Sequence, residues 1–391
     1  MGKQIMEASH AISEAVKMVK PGVIAAYPIT PQTHIVEKIS EFVADGELDS
    51  QYIRAESEFG AISACLGASA TGVRSYTATA SQGLALMFEV LFIISGMRLP
   101  VCMTLANRSI SAPISIWNDH QDSISIRDTG WIQLYAETAQ ECYDLTIMQF
   151  RISEHRRVLL PSMVCMDGFV LTHLYEPLDI HRQEEVDDFL PEYEPFHAIL
   201  DPKQPLTQGP IGFPSHYMEL RKSQIDATKG SLRIIESIFN EFSKKFPVEI
   251  KNSRPDDYRV IEEYKTDDAD IIFVAMGSIC GQIKVVIDKL RKNGEKAGLA
   301  KIVVYRPFPD DAIRKALYNA DKVAVIERAV SAGANAPIFD EIRSLFYDDS
   351  RRPNIRSFIA GIGGRDVTLK HIEKIYYMVK EDKGKKEEWM F

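Results

Sequence analysis

The chain has 391 residues, which at roughly 100–200 residues per domain predicts two or three domains. Hydrophobic residues make up 45% and charged residues 26%, a balance that excludes a disordered chain and fits globular cores. A formal net charge of −9 excludes a broad nucleic-acid footprint, because gripping phosphates needs a basic field.

The opening MGKQIMEASHAISEAVKMVK reads as an amphipathic helix carrying Glu7 and Glu14, not as a signal peptide. Met6 stands where a myristoylation signal wants Ser or Thr. The longest apolar stretch, around Leu84–Ile94, contains Glu89 and is too short to cross a bilayer, so a cytoplasmic chain with no membrane partner is expected. Short apolar runs then alternate with helical patterns. Val23–Ile29 stops at Thr30-Pro31, and a helical pattern covers Thr33–Gly46. Gln51–Ala55 leads into a helix of small residues, Ser57–Gly72. Arg74–Thr79 precedes a helical Ser81–Gly96, and Pro100–Arg108 reads as a buried strand. After a polar loop come a long helix near Thr138–His155 and a strand within Val158–Gly168. This alternation predicts a parallel sheet covered on both faces, with ligands beyond the carboxyl ends of its strands.

From about residue 174 to 230 the periodicity is lost and proline is frequent, which reads as a wrapping linker. A helix over Ser231–Phe246 restarts the fold. A second α/β unit begins at about Ala269, with strands in Asp270–Gly277, Lys301–Phe308, Lys322–Arg328 and Ile355–Gly361. The expected division is 1–230 and 231–391, the last dozen residues forming a solvated, charged tail. Cys65, Cys102, Cys142, Cys165 and Cys280 are irregularly spaced with no CxxC, so they read as buried small hydrophobes. Any iron–sulfur cluster then belongs to another chain.

Three loops after strands carry the chemistry. In Tyr27–Pro31 two prolines fix an extended exit that leaves the Thr30 hydroxyl at a strand end, although the plainer reading of Thr30 from the residues alone is a helix N-cap region. Glu58 opens the small-residue helix, where an acidic side chain favours the helix dipole or, alternatively, serves a ligand ring. Arg108 ends its strand, well placed to grip a carboxylate bidentately. The loop beyond it holds Trp117, Asp119, His120, Gln121 and Asp122. That loop offers no ligand set at metal spacing, so no metal is expected and His120 reads as a hydrogen-bonding residue. There is no P-loop, G-x-S-x-G or HExxH, and the glycines of Gly361–Asp366 fit no dinucleotide pattern.

Taken in order, YPITP, Ser57–Gly60, Thr79–Gly83, Arg108 with Asp119–Asp122, and Met166–Phe169 resemble the pyrimidine-binding domain of the 2-oxoacid:ferredoxin oxidoreductase family, most of all its pyruvate enzymes. Tyr305–Pro309, Ile326–Arg328 and Gly361–Thr368 are similar to the domain that comes after it there. The resemblance implies an α/β fold: a thiamine diphosphate-binding pyrimidine-type domain with a parallel sheet, then a transketolase C-terminal-like α/β domain. It implies that Glu58 is the catalytic and cofactor-binding residue at N1′ of the aminopyrimidine, and that Thr30 and Arg108 hold the 2-oxoacid carboxylate. It further implies an alpha-type subunit of an enzyme that decarboxylates pyruvate oxidatively to acetyl-CoA and CO2, or runs the reverse, with ferredoxin taking the electrons. The chain has no G-D-G segment for Mg2+ and diphosphate. The resemblance therefore assigns those to a beta subunit, and the coenzyme A region and 4Fe–4S clusters to gamma and ferredoxin-like delta subunits or fusions of them. The active site is then expected at the interface with the beta subunit. Thr30, in place of a second cation, suits a monoanionic 2-oxoacid. Other 2-oxoacids (2-oxoisovalerate, 2-oxoglutarate), an E1-beta-like dehydrogenase subunit and a non-catalytic assembly subunit are the competing expectations.

Overall fold

The computed structural model of the chain describes residues 2–195 and 199–391. Its first sheet has seven strands in the order Val304–Arg306, Ile132–Tyr135, Ser162–Asp167, Cys102–Asn107, Ser75–Thr79, Val23–Ala26 and Gln51–Arg54. Neighbours are parallel except Val304–Arg306, which runs antiparallel to Ile132–Tyr135. Ser75–Thr79, Cys102–Asn107 and Ser162–Asp167 are buried along their whole length, as a parallel sheet covered on both faces requires.

Helix Ala139–Ser153 is buried all round, although it carries Gln140, Glu141, Asp144 and Gln149. Most of its polar groups are paired instead of solvated, Gln149 Nε2 being an exception. Asp144 receives Arg254 Nε at 3.0 Å and the Tyr258 hydroxyl at 2.9 Å, and Gln140 accepts the Asp179 N–H at 2.7 Å. Buried polar groups are tolerated on such terms.

Several expectations need correction. Residues 2–7 are not helical: Gly2–Glu7 is a strand, paired antiparallel with Tyr175–Ile180, and the helix begins at Ala8. Most of this strand is exposed, so no alternating apolar pattern announces it. The segment read as a linker starts with that partner strand and with helix Gln183–Phe189. Helix Tyr217–Lys245 starts well before Ser231 and passes through residue 230. Its first two turns are almost wholly exposed and lack the apolar stripe that marks its second half.

The second sheet has six strands, not about four: Glu387–Met390, Asn354–Ala360, Lys322–Glu327, Ile271–Ala275, Ala297–Ile302 and Ile261–Tyr264 in spatial order. Only Ile261–Tyr264 runs antiparallel to its neighbour. The charged tail is therefore not wholly solvated, because Glu387–Met390 adds an edge strand and buries Met390. The run from Lys301 to Phe308 divides, with Ala297–Ile302 in the second sheet and Val304–Arg306 on the edge of the first. One continuous stretch of backbone thus staples the two sheets together, and one apolar core reaches from Met6 to Ile359.

All five cysteines are buried and free, as expected, and burial pushes the Cys65 thiol up to about 12. Among the described residues no helix is long and apolar enough to cross a membrane.

Candidate active site

The ends of four adjacent strands build the site. Helix Glu58–Ala70 is capped by Ser57, whose Oγ accepts the Gly60 N–H at 3.1 Å. Capping is therefore the work of Ser57, which leaves the Glu58 carboxylate free of that role. Glu58 is only 7% exposed, and its carboxylate forms no hydrogen bond or ion pair among the described residues. It lies against the start of helix Ser81–Leu86. A Cβ on Gly83 would fall 2.7 Å from Glu58 Oε1 and closer still to Thr79 Oγ1, so only glycine fits there. Thr79 Oγ1 and Gln82 Nε2 are also buried without partners. Each such group costs about 1–3 kcal/mol when left unsatisfied. An acceptor carboxylate and a hydroxyl set against one glycine, with an unpaired amide donor on the residue before it, suit a flat, polar-edged ring. An aminopyrimidine, which presents both donors and acceptors on its edge, fits this set.

Arg108 comes directly after the strand Cys102–Asn107. Its Nη1 donates to the Thr30 carbonyl oxygen at 2.9 Å, and its Nε donates to the Ser115 carbonyl oxygen at 3.0 Å. The structure thus brings Thr30 and Arg108 together, through the Thr30 backbone, while Thr30 itself is exposed. Gln32 holds the same turn from below, donating to the Tyr27 and Ala78 carbonyls at 2.9 and 3.3 Å. Gly168 closes the other side, since a Cβ there would fall 2.7 Å from Pro31 Cγ and 2.5 Å from the Asn107 carbonyl. Burial lowers the Arg108 pKa, with Asp122 opposing, and a guanidinium stays charged regardless.

The polar loop beyond Arg108 is a buried network, and its acidic and imidazole groups are dispersed among separate partners. Asp122 is fully buried and receives four donors from the ends of two strands and from its own turn. Burial, only partly offset by these bonds, pushes its carboxyl up to about 6. Asp119 Oδ2 accepts the Gly363 N–H at 3.0 Å. His120 Nε2 pairs with Asp167 Oδ1 at 2.6 Å, as its reading as a hydrogen-bonding residue anticipates. The other Asp167 oxygen receives Arg328 Nη1 at 3.0 Å, the Ser278 N–H at 2.9 Å and the Ser278 hydroxyl. Burial opposes the Asp167 charge, but the Arg328 guanidinium and His120 outweigh it and hold the carboxyl well below the usual range. Arg328 also reaches Asn118 Oδ1 at 2.7 Å, and Gly364 packs directly on Trp117.

Asp167, Ser278 and Arg328 escape notice in the sequence as site-supporting residues. Their signal is faint: Asp167 ends a strand inside Met166–Phe169, and Arg328 ends Ile326–Arg328.

Another acidic cluster lies apart from this site. Glu137, Glu141 and Glu262 offer oxygens within 4.8 Å of one another. The fully buried Lys301 ammonium sits 2.6–2.7 Å from all three, and Lys284 lies 2.8 Å from Glu137 and Glu262. A lysine is already the cation there. The adjoining cavity of about 1050 Å3 shares no lining residue with the Glu58 and Arg108 loops.

A parallel sheet with a buried carboxylate and a braced arginine at its carboxyl edge, joined to a second α/β sheet, defines a two-sheet α/β chain whose candidate site lies at the strand ends. Two solved structures share the fold. One is a 2-oxoglutarate:ferredoxin oxidoreductase from Magnetococcus marinus, with a TM-score of 0.72 and 18% identity over 96% of this chain and 65% of that chain. The other is a split-gene transketolase described as an inactive beta4 tetramer, with a TM-score of 0.58 and 9% identity over 97% and 99% of the two chains. The chain belongs to the pyruvate flavodoxin/ferredoxin oxidoreductase family: that family's thiamine diphosphate-binding model matches residues 14–240, and its core domain II model matches residues 269–372. Pyruvate synthase subunit PorA of Pyrococcus abyssi is 52% identical over 98% of this chain and 96% of its own length. PorA of Methanothermobacter thermautotrophicus is 50% identical over 95% and 94%. Ketoisovalerate oxidoreductase subunit VorA of Pyrococcus abyssi is 41% identical over 95% and 92%.

Proposed function

We propose that this chain is the alpha-type subunit of a pyruvate:ferredoxin oxidoreductase that contributes the pyrimidine half of a thiamine diphosphate site. The observation that carries this reading is Glu58: a buried carboxylate without a partner, pressed on Gly83 beside the unpaired Thr79 hydroxyl. Identity near 50% to PorA chains over almost the whole length supports pyruvate as the 2-oxoacid. The 41% identity to VorA makes 2-oxoisovalerate the second reading.

Thiamine diphosphate, when bound, supplies the carbon nucleophile and the electron sink that decarboxylation of a 2-oxoacid needs. Glu58 shares a proton with N1′ of the pyrimidine and so sets which tautomer is present. Arg108, already braced by two backbone carbonyls, presents its remaining N–H donors to the substrate carboxylate. The Thr30 hydroxyl completes that grip from the facing turn. Residues 1–230 form the cofactor-binding unit in this reading, and 231–391 the unit that braces it.

The chain lacks a G-D-G segment. Mg2+ and the diphosphate are therefore assigned to a beta subunit, and the 4Fe–4S clusters and coenzyme A region to further gamma and delta chains. The test is an anaerobic assay of the complex that co-purifies with this chain, monitoring viologen reduction with coenzyme A and a panel of 2-oxoacids. Reduction that depends on both pyruvate and coenzyme A is expected. Activity only with a branched 2-oxoacid overturns the substrate, and silence with every 2-oxoacid in a cofactor-loaded complex overturns the function.

A further inference from the structure

We propose that Asp122 is a positioning residue for this reaction, holding the Arg108 carboxylate grip in register with the turn that forms the Glu58 pocket. The proposal rests on the assignment of Arg108 to the 2-oxoacid carboxylate. Asp122 reaches Arg108 and Ser81 through their backbone N–H groups only. It lies fully buried in the short helix Gln121–Ser125, between the two strand ends that carry them.

Each oxygen of Asp122 does a separate job. Oδ2 accepts the backbone N–H of Arg108 at 3.0 Å and that of Ser81 at 3.1 Å. These two residues lie just past neighbouring strands, Cys102–Asn107 and Ser75–Thr79, so a single oxygen sets the spacing between their exits. Oδ1 accepts Asn107 Nδ2 and the Ser123 N–H, both at 2.8 Å, which fixes the rotation of the carboxylate itself.

The Ser81 anchor controls where Gly83 sits. Ser81 has a positive φ of 46°, a conformation that a non-glycine residue adopts only when its surroundings impose it. Here Asp122 takes the Ser81 N–H, and the Ser109 carbonyl takes the Ser81 hydroxyl. Two residues on, Gly83 lies against Glu58. Asp122 thus ties one turn that seats the Glu58 carboxylate to another that aims the Arg108 guanidinium. No neutral side chain of this size offers four acceptor positions.

The test is Asp122→Asn in the assembled complex, beside Arg108→Ala in the same assay. An asparagine turns one face of the carboxylate into a donor, so it loses either the Arg108 and Ser81 pair or the Asn107 and Ser123 pair. The 2-oxoacid KM is expected to rise about tenfold or more, with the coenzyme A KM unchanged. A defect in folding alone lowers the amount of active enzyme, and hence apparent kcat, while leaving both KM values in place. A raised KM with Arg108→Ala and an unchanged KM with Asp122→Asn overturns the positioning role and leaves Arg108 in place. Unchanged KM values in both variants remove Arg108 from the carboxylate site, and the role of Asp122 falls with it. Should Asp122→Asn fail to assemble, Asn107→Ala replaces it, removing one Oδ1 donor while sparing both backbone anchors. A smaller rise in the 2-oxoacid KM then supports the role, and none overturns it.

Discussion

Arg108 reaches from the end of its strand to Thr30, donating from Nη1 to the Thr30 carbonyl oxygen at 2.9 Å. The bond joins two loops 78 residues apart and fixes the guanidinium plane before any substrate arrives. A second carbonyl, that of Ser115, takes Nε at 3.0 Å. An arginine held in this way loses little further side-chain freedom on binding a carboxylate.

Replacing it should therefore show in substrate affinity. Arg108→Ala is expected to raise the KM for the 2-oxoacid about 10- to 100-fold, the effect of losing charge-assisted hydrogen bonds, with little change for coenzyme A. Arg108→Lys keeps the charge but cannot hold both carbonyls in one plane, so it should fall nearer to alanine than to arginine. Steady-state kinetics on the assembled complex decide it, and an unchanged KM in Arg108→Ala rules the residue out of the carboxylate site.

Gly83 sets the space for Glu58. A methyl group there collides with Glu58 Oε1 and Thr79 Oγ1, and the Glu58 side chain or the helix start must shift. Gly83→Ala is expected to lower turnover on the order of 10- to 100-fold, since a misplacement near 1 Å has that cost. Assembly with partner subunits, read by size-exclusion chromatography, should be unaffected. Wild-type turnover in this variant contradicts the placement of the ring beside Gly83.

Glu327 makes the stability of the chain depend on pH. It is buried and accepts the Ile338 and Phe339 N–H groups at 2.8 and 2.9 Å, at the start of helix Pro337–Leu345. Burial outweighs those bonds and pushes its carboxyl up to about 8. Between the ordinary carboxylate range and that value the native state keeps a proton that the unfolded chain releases. This contribution is fully present at low pH and is lost as pH rises through about 8. The denaturant midpoint of the wild type should fall between pH 6 and pH 9 more steeply than that of Glu327→Gln. Parallel pH profiles contradict the shift.

Much of this architecture is legible in the sequence, for identifiable physical reasons. Cys102–Asn107 and Ser162–Asp167 are buried on both faces and read as short, mostly apolar runs, while the equally buried Ser75–Thr79 shows itself by β-branched and aromatic residues. The edges are harder. Gly2–Glu7 is polar and mostly exposed, and its partner Tyr175–Ile180 contains a proline, so neither carries an apolar period. Lys301–Phe308 looks like one strand, because a change of sheet between Ile302 and Val304 leaves hydropathy unaltered. At the site, Thr30, Glu58 and Arg108 stand out by position at strand ends, and the structure joins Thr30 directly to Arg108. The bracing of the Arg108 loop by Asp167 and Arg328 depends on contacts across distant segments that no local pattern encodes, and the Ser115 carbonyl reaches Arg108 only through the fold of the loop between them. The resemblance points to Tyr305–Pro309, Ile326–Arg328 and Gly361–Thr368 without explaining them. Arg328 clamps Asp167 and Asn118, and Gly363 and Gly364 seat the loop that carries Asp119 and Trp117.

Everything proposed for the cofactor rests on Glu58, and Glu58→Gln tests it most directly. Glutamine keeps the shape of the side chain but cannot share a proton with a ring nitrogen. Anaerobic turnover of the assembled complex should fall by at least about 100-fold, the usual scale of a lost general acid–base step. Because Glu58 makes no hydrogen bond among the described residues, subunit assembly and thermal unfolding should stay those of the wild type. Wild-type turnover in a variant that assembles normally contradicts the assignment of Glu58 to the cofactor.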